Sequence, residues 1–300
     1  MDDFRAGFVA IVGRPNVGKS TLVNALVGKK IVITSKHPNT TRNPIRGIIT
    51  KPNYQLIVVD TPGIHKPKTI LGVRLNEIVA ENLDGVDVAV ICLPANEPIG
   101  AGDDFILKQI AKYKIVVALT KIDLVPADKV IEKLAELDNS FKNLGIKYEE
   151  LVPISAKNNQ QIDVLEAQIA KRLEESPQLY PEDMDTDQAT ELLLSEFIRE
   201  AAIEGTYEEV PHSIVVTIES YEKRSGKDLV DIHATVHVER DSQKPMLIGK
   251  QGSKLKEIGT KARAQIENYL GSKVYLSLHV KVNKDWQKNP KALHKLGFME

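Results

Sequence analysis

The chain has 300 residues, of which 42% are apolar and 27% are charged, and its formal net charge at pH 7 is −1. This length allows one large and one small domain, each with its own hydrophobic core, and the composition is that of a soluble globular protein. No apolar run approaches the roughly 18 residues that indicate a membrane span, and the single cysteine, Cys92, excludes an internal disulfide.

The near-zero net charge conceals a basic C-terminal segment. Residues 240–300 contain 13 Lys and Arg against 5 Asp and Glu. Such a segment indicates a polyanionic partner, although solvated surface lysines would give the same count. The N-terminus has acidic residues where a secretory signal would be basic, so we expect a cytoplasmic protein.

Short runs rich in β-branched residues alternate with helical patterns up to about residue 173, as a parallel sheet with crossover helices requires. The predicted strands are FVAIV (8–12), PIRGIIT (44–50), QLIVVD (55–60), VDVAVICL (86–93), KIVVALT (114–120) and ELVPIS (150–155). The KPNY turn predicts a hairpin of the second and third strands, which places one antiparallel strand at the sheet edge. We expect an α/β domain with helices on both faces of a mostly parallel sheet.

The sequence GRPNVGKS, residues 13–20, lies between the first strand and the first helix, the context in which G-x-x-x-x-G-K-S binds a polyphosphate. Backbone N–H groups of such a loop and the positive end of the helix dipole surround the phosphates. We expect Lys19 to reach the β- and γ-phosphates and the Ser20 hydroxyl to bind Mg²⁺.

Three further motifs follow at the ends of later strands. DTPG places Asp60 near the Mg²⁺ shell and turns the Gly63 N–H toward the γ-phosphate. TKID offers the Asp123 carboxylate to two guanine donors that adenine lacks, while the stem of Lys121 covers the base. SAK presents the Ala156 N–H to guanine O6. Alone, DTPG is a turn, and TKID and SAK are short enough to arise by accident. Their order at successive strand ends nevertheless predicts a guanine-nucleotide site.

These motifs resemble the five-motif set of the translation-factor-type GTPases, which implies a switch threonine between the first helix and the hairpin. We favour Thr41, which precedes Arg42, over Thr40. Thr120 stands where the motif more often has Asn, so a hydroxyl remains but the local loop contacts are open. Ile64 stands where Ras-like enzymes place a glutamine that orients water, which predicts slow intrinsic turnover and another water-positioning group.

Asn16 of the phosphate loop has two interpretations. In the GTPases that this chain most resembles, it is linked to a bound K⁺ that replaces an arginine finger; alternatively it is a turn-former. The predicted catalytic residues are Asn16, Lys19, Thr41, Asp60 and Gly63, and the predicted Mg²⁺ ligands are Ser20, Thr41 and Asp60. The predicted nucleotide-binding residues are Gly13, Arg14, Pro15, Asn16, Val17, Gly18, Lys19, Ser20, Thr21, Asp60, Thr61, Pro62, Gly63, Ile64, Thr120, Lys121, Ile122, Asp123, Ser155, Ala156 and Lys157.

The segment EESPQLYPEDMDTDQ combines two prolines with acidic residues and has no clear period, which predicts a linker. The predicted divisions are a GTPase domain over 1–175, a linker over 176–188 and a smaller α+β domain over 189–300. In the last of these the predicted order α-β-β-α-α-β is that of a type II KH domain. The single tryptophan, Trp286, is expected to pack beneath the last helix, with stacking on a base as the alternative.

The turn GKQG joins two predicted helices of this domain. In KH domains a G-x-x-G loop clamps four nucleotides of a single strand along their backbone. A plain helical turn with solvated lysines is the alternative, which the order of elements disfavours. The predicted RNA-binding residues are Ile248, Gly249, Lys250, Gln251, Gly252, Lys254 and Lys256.

The GTPase motifs and the KH domain together resemble the Era family of bacterial GTPases over essentially the whole chain. The resemblance implies binding near the 3′ end of 16S ribosomal RNA, action in 16S rRNA processing and 30S subunit assembly, and peripheral association with the inner face of the plasma membrane. The alternative is a membrane-associated signalling GTPase whose basic domain binds lipid or protein. No extended coiled-coil pattern occurs, so we expect a monomer.

Overall fold

The computed structural model describes residues 4–35, 41–42, 44–63, 70–206, 210–226 and 228–298. The strands are β1 Arg5–Val12, β2 Ile45–Lys51, β3 Tyr54–Asp60, β4 Val88–Pro94, β5 Lys114–Thr120, β6 Glu150–Pro153, β7 Val215–Lys223, β8 Leu229–Val238 and β9 Lys273–Val282. The helices are α1 Lys19–Val27, α2 Ile70–Leu83, α3 Ala101–Ile110, α4 Ala127–Leu144, α5 Ile162–Ala170, α6 Thr190–Glu204, α7 Val210–Ser213, α8 Gln243–Ile248, α9 Ser253–Leu270 and α10 Pro290–Lys295.

The described residues form two compact units. Most residues up to 187 belong to the first, and residues from 188 onward belong to the second. Residues 33–35 and 70–74 also group with the second unit, although in sequence they lie inside the first.

The first unit is built on a sheet with the strand order β2-β3-β1-β4-β5-β6. β2 pairs with β3 in the antiparallel sense, and the other neighbours are parallel. The predicted hairpin with its antiparallel edge strand is therefore confirmed. Every residue of β4 is buried, which matches its nearly continuous apolar sequence, because a central strand of such a sheet is covered on both faces.

Helices cover both faces of this sheet. α2, α3 and α4 contribute Val79, Leu107 and Phe141 to one apolar core, and α1 and α5 pack against each other and against β3 away from that core. The parallel strands end at one edge, so the segments after β1, β3, β5 and β6 meet there. These are the segments in which the sequence motifs occur.

The segment after α5 follows the surface of the first unit. The buried side-chain amide of Gln55 in β3 accepts hydrogen bonds from the Leu179 and Tyr180 N–H groups, both at 2.9 Å, and donates to the Tyr180 carbonyl. The Ile48 N–H of the edge strand β2 donates to the Asp185 carbonyl at 2.9 Å. This segment thus pairs with backbone groups that an edge strand otherwise leaves exposed.

The second unit has a sheet of order β7-β8-β9, in which β7 and β8 are antiparallel and β8 and β9 are parallel. α6 and α9 pack against each other and against this sheet. The predicted order α-β-β-α-α-β is confirmed, with the short helices α7 and α10 in addition. Trp286 is fully buried, its indole N–H donates to the Ser213 carbonyl and its ring stacks on Phe298, so its predicted packing role is confirmed.

Within the described ranges, we find no helix with both the length and the apolar character needed to cross a membrane.

Candidate functional site

The phosphate loop has backbone conformations that its residue types permit. Gly13 has φ 149°, and a Cβ atom there would lie 2.8 Å from the Cys92 carbonyl oxygen. Gly18 also has a positive φ, and Asn16 has φ 63°, a left-handed conformation that Asn adopts more readily than most residues. This conformation suits the turn-forming interpretation of Asn16.

Lys19, the first residue of α1, is buried under this loop. Its ammonium group donates to the carbonyl oxygens of Gly13, at 3.0 Å, and Arg14, at 2.8 Å. Burial lowers the pKa of Lys19, while the nearby Asp60 carboxylate opposes that shift. The ammonium group therefore lies within the loop that the sequence predicts to surround phosphates.

Three predicted Mg²⁺ ligands come together beside Lys19. The Ser20 hydroxyl donates to Asp60 Oδ2 at 2.9 Å, the Thr41 hydroxyl donates to the same oxygen at 3.0 Å, and the two hydroxyls are 3.1 Å apart. Asp60 is fully buried, which raises the pKa of its carboxyl to about 6 even though Lys19 lowers it. Among the described residues, its other oxygen, Oδ1, has no hydrogen-bond partner.

This arrangement fits a divalent cation. A buried carboxylate with one oxygen left over, beside two hydroxyls, supplies the hard oxygen ligands that Mg²⁺ prefers. Thr41 is the threonine that joins the cluster, whereas Thr40 lies outside the described residues.

The segment after β3 lies against the phosphate loop. A Cβ atom on Gly63 would lie 2.8 Å from Pro15 Cγ and 2.9 Å from the Pro15 nitrogen, so only glycine allows this approach. The Thr61 hydroxyl donates to the Ile11 carbonyl at 2.7 Å and fixes the same segment to β1. Ile64, which stands where Ras-like enzymes place the water-orienting glutamine, lies outside the described residues.

The predicted base-binding motifs meet at the ends of β5 and β6. The buried hydroxyl of Thr120 donates to the Val17 carbonyl at 2.6 Å, so threonine does form a contact with the phosphate loop at this position. The Ser155 hydroxyl donates to Asp123 Oδ1 at 2.6 Å, which joins the two motifs. Asp123 itself is exposed, so it becomes enclosed only when a ligand covers it. Lys121 has φ 58°, a strained conformation for lysine.

In the second unit the G-x-x-G turn needs its glycines. Gly249 and Gly252 have φ 71° and 77°, and a Cβ atom on Gly249 would lie 2.7 Å from Lys254 Cβ. Gln251 also has a positive φ, and both Lys250 and Gln251 are exposed at the tip of the turn. The turn therefore presents its charged side chain to solvent while its backbone remains accessible.

Beside this turn lies a groove of about 370 Å³ between α9 and β9. It combines three leucines with two basic side chains, and its lining residues are Gly252, Leu255, Lys256, Gly259, Thr260, Arg263, Leu276 and Leu278. Two of these, Gly252 and Lys256, are among the predicted RNA-binding residues. Sequence reasoning missed the leucines of β9, although their alternation with outward-facing residues of that strand is the signal that could have found them.

The fold and the two sites define a P-loop nucleotide-binding domain of the GTPase type joined to a KH domain. A family model described as 50S ribosome-binding GTPase matches residues 8–121, and one described as KH domain matches residues 209–287. GTPase Era of Nocardioides sp. is 51% identical over 98% of this chain and 96% of its own length, and that of Mycobacterium tuberculosis is 50% identical over 99% and 100%. The chain belongs to the Era family of GTPases.

Solved structures agree with this membership. A crystal structure of an Aquifex aeolicus Era variant bound to GDP and AlF₄⁻ superimposes with a TM-score of 0.94, at 39% identity, over 99% of this chain and 100% of that one. An Era structure in complex with MgGDPNP and nucleotides 1506–1542 of 16S ribosomal RNA has a TM-score of 0.93, at the same identity and coverage. The chain is thus a GTPase, as the motifs predicted.

Proposed function

We propose that the phosphate loop and the Ser20, Thr41 and Asp60 cluster bind Mg²⁺ and the triphosphate of GTP. The observation that carries this is the cluster itself, three oxygen-bearing side chains within 3.1 Å of one another beside the Lys19 ammonium group. Ser20, Thr41 and Asp60 would hold the Mg²⁺, which would supply positive charge against the charge that develops on the phosphates during phosphoryl transfer. Lys19 exchanges its two loop carbonyls for phosphate oxygens.

Hydrolysis in this site depends on positioning. The Gly63 N–H donates to the γ-phosphate, and the contact of Gly63 with Pro15 fixes that donor relative to the phosphate loop. We expect slow intrinsic turnover, since Ile64 cannot hydrogen-bond a water molecule. If Asn16 holds K⁺, turnover in K⁺ buffer should exceed that in Na⁺ buffer, and equal rates would remove the K⁺ proposal.

The specificity for guanine is determined by Asp123, Lys121 and the Ala156 N–H. Asp123 accepts from guanine N1–H and the exocyclic amine, and its bond from Ser155 holds the carboxylate toward the base. Adenine offers neither donor at these positions and would leave the carboxylate covered by the ligand without its two base donors, which costs free energy of binding. The ribose and phosphates contribute no such discrimination.

The second unit binds single-stranded RNA through the G-x-x-G turn and the adjoining groove. The observation that supports this is the continuity of an exposed, glycine-permitted turn with a groove that combines leucines and the basic residues Lys256 and Arg263. Phosphates lie along the turn, and bases enter the groove against the leucines. Given the Era structure that contains nucleotides 1506–1542 of 16S ribosomal RNA, the target is the 3′ region of that RNA, in the cytoplasm during processing and assembly of the 30S subunit.

The nucleotide state controls this activity. Thr41 belongs to the Mg²⁺ cluster, and seven residues earlier in the chain the Thr34 N–H donates to Glu200 Oε1 of α6 at 2.8 Å, within the second unit. The segments 34–45 and 61–75 therefore include residues of both units. GTP orders these segments, and loss of the γ-phosphate releases them, which changes the placement of the RNA-binding unit.

The test is crosslinking of the full chain to RNA in cells, followed by sequencing. Lys250→Asp with Gln251→Asp reverses charge at the turn. Lys288→Asp with Lys291→Asp is the control. It replaces two exposed lysines of the same unit and changes the net charge by more than the turn variant does. A peak near the 3′ end of 16S ribosomal RNA should disappear in the first variant and persist in the second.

A diffuse RNA signal that the turn variant leaves unchanged would favour the second candidate. That result is expected if the second unit is only a basic surface, which binds acidic lipid or protein at the membrane. In that case the ribosomal proposal fails while the GTPase assignment stands.

A further inference from the structure

A carboxylate outside the sequence motifs lies between two cations of the nucleotide site. Glu97 is in the loop between β4 and α3. One of its oxygens, Oε2, is 3.4 Å from Arg14 Nη2 of the phosphate loop, and the other, Oε1, is 3.5 Å from Lys121 Nζ of the base motif. The loop that carries it is fixed by the Ala95 N–H, which donates to the Thr120 carbonyl at 2.8 Å.

Arg14 has a second and closer carboxylate partner. Its Nε donates to Asp103 Oδ1 at 2.7 Å, and the side chain of Asp103 is only 1% exposed. Asp103 is fixed in turn, because its Oδ2 accepts from the Gly100 N–H at 2.9 Å. The guanidinium therefore keeps a short, buried partner if Glu97 loses its charge.

Lys121 has less support. Glu97 is the carboxylate that pairs with its ammonium group in the described part of the chain, and the Lys121 side chain is 27% exposed. The backbone at Lys121 is left-handed, a strained conformation for lysine that persists only where the surroundings hold it. The direction of the side chain therefore depends on those surroundings. A lysine side chain that no partner positions loses rotamer freedom when it is placed over a base, and this loss costs free energy of binding.

We infer that Glu97 is a positioning residue that holds the Lys121 side chain across the guanine face of the nucleotide site. The inference rests on the proposed base site. The ammonium group stays bound to Glu97 while the methylene stem packs on the base, the usual division of a lysine between polar and apolar surroundings. Glu97 touches neither the phosphates nor the reacting atoms in this arrangement, so it affects nucleotide retention and not the chemical step.

The test is Glu97→Gln, which keeps the size of the side chain and removes its charge. The rate of GDP dissociation, followed with a fluorescent GDP, should rise about two- to fivefold, the range that partly exposed ion pairs support. KM for GTP should rise by a similar factor with kcat unchanged. Since the pair is partly exposed, the difference from wild type should shrink as salt is raised.

A probe without a base separates this role from an effect on the phosphate loop. Inorganic tripolyphosphate, measured as a competitor of fluorescent GDP, should bind Glu97→Gln and wild type equally. In a Lys121→Met background, which keeps an apolar stem, Glu97→Gln should have no further effect. Glu132→Gln is the matched control, because Glu132 pairs with Lys129 at 2.7 Å on an exposed helix face of the same unit.

Three results would overturn the inference: GDP dissociation that does not change, tripolyphosphate binding that weakens as much as GDP binding, or a Glu97→Gln effect that persists in Lys121→Met. Failure of the proposed base site is seen separately, because wild-type protein would then show no preference for GDP over ADP.

Discussion

The buried hydroxyl of Thr120 connects the base motif to the phosphate loop, and Thr120→Val tests that connection. The hydroxyl donates to the Val17 carbonyl at 2.6 Å, with Thr120 2% exposed and Val17 fully buried. Valine has nearly the same shape as threonine, so packing is retained while a methyl group replaces the donor. The Val17 carbonyl then has no side-chain donor from this position.

The expected cost follows from that burial. Leaving one buried acceptor without its partner costs about 1–3 kcal/mol, which lowers the melting temperature of a domain of this size by about 2–12 °C. The bond exists without nucleotide, so its loss weakens GDP binding by lowering the fraction of molecules whose loop is in the binding conformation. Each ~1.4 kcal/mol by which the loop is released weakens GDP binding about tenfold.

Calorimetry of the nucleotide-free protein and GDP dissociation kinetics measure the two effects. Trp286, the single tryptophan, lies in the second unit, so its fluorescence is an internal reference that should change little. Thr120→Ser keeps the hydroxyl and should retain most of the affinity. Unchanged melting and unchanged GDP dissociation in Thr120→Val would refute the reasoning, as would equal losses in Thr120→Ser.

Three further predictions follow from other contacts. Asp123→Asn should shift the preference from guanine toward xanthine nucleotides in a competition assay, and an unchanged preference would contradict the base assignment. Gln55→Ala removes the acceptor of two backbone N–H groups and should destabilise the first unit by about 1–3 kcal/mol, with faster proteolysis at Leu179–Tyr180; cleavage at the wild-type rate would show that the amide does not hold this segment. Burial, with Lys281, lowers the pKa of His237 from 6.5, and Glu219 opposes this. The unfolded chain then binds the proton more readily, so the second unit should lose stability as pH falls below about 6.5, measured by Trp286 fluorescence in urea, and His237→Gln should remove that dependence.

The features of this protein that could be predicted from the sequence are those that depend on residues close together in the chain. The strand ends carry the motifs, the hairpin follows from a turn, and the G-x-x-G turn needs φ values that glycine supplies. Ser20 and Asp60 could be proposed together because parallel strands end at one edge of the sheet, whereas Thr41 was proposed from the resemblance to the translation-factor-type GTPases.

Contacts between distant segments could not be predicted in this way. Glu97 lies in a loop without a motif, and only the folded sheet brings it to Lys121. The buried amide of Gln55 interrupts an apolar strand, and its reason is a backbone segment more than 120 residues later. Residues 33–35 likewise group with the second unit, in which the Thr34 N–H donates to Glu200, 166 residues later in the chain.

The phosphate site also depends on where backbone carbonyls are held. Lys19 binds the carbonyls of Gly13 and Arg14, and Thr120 binds that of Val17. The N–H and C=O groups of one planar peptide point in opposite directions, so a carbonyl fixed on one side turns its partner N–H to the other. A carbonyl that is engaged in this way leaves the next N–H of the loop free to face an anion. When phosphate draws the Lys19 ammonium group away, Val17 keeps its own donor, so Thr120 holds this part of the loop both with and without nucleotide.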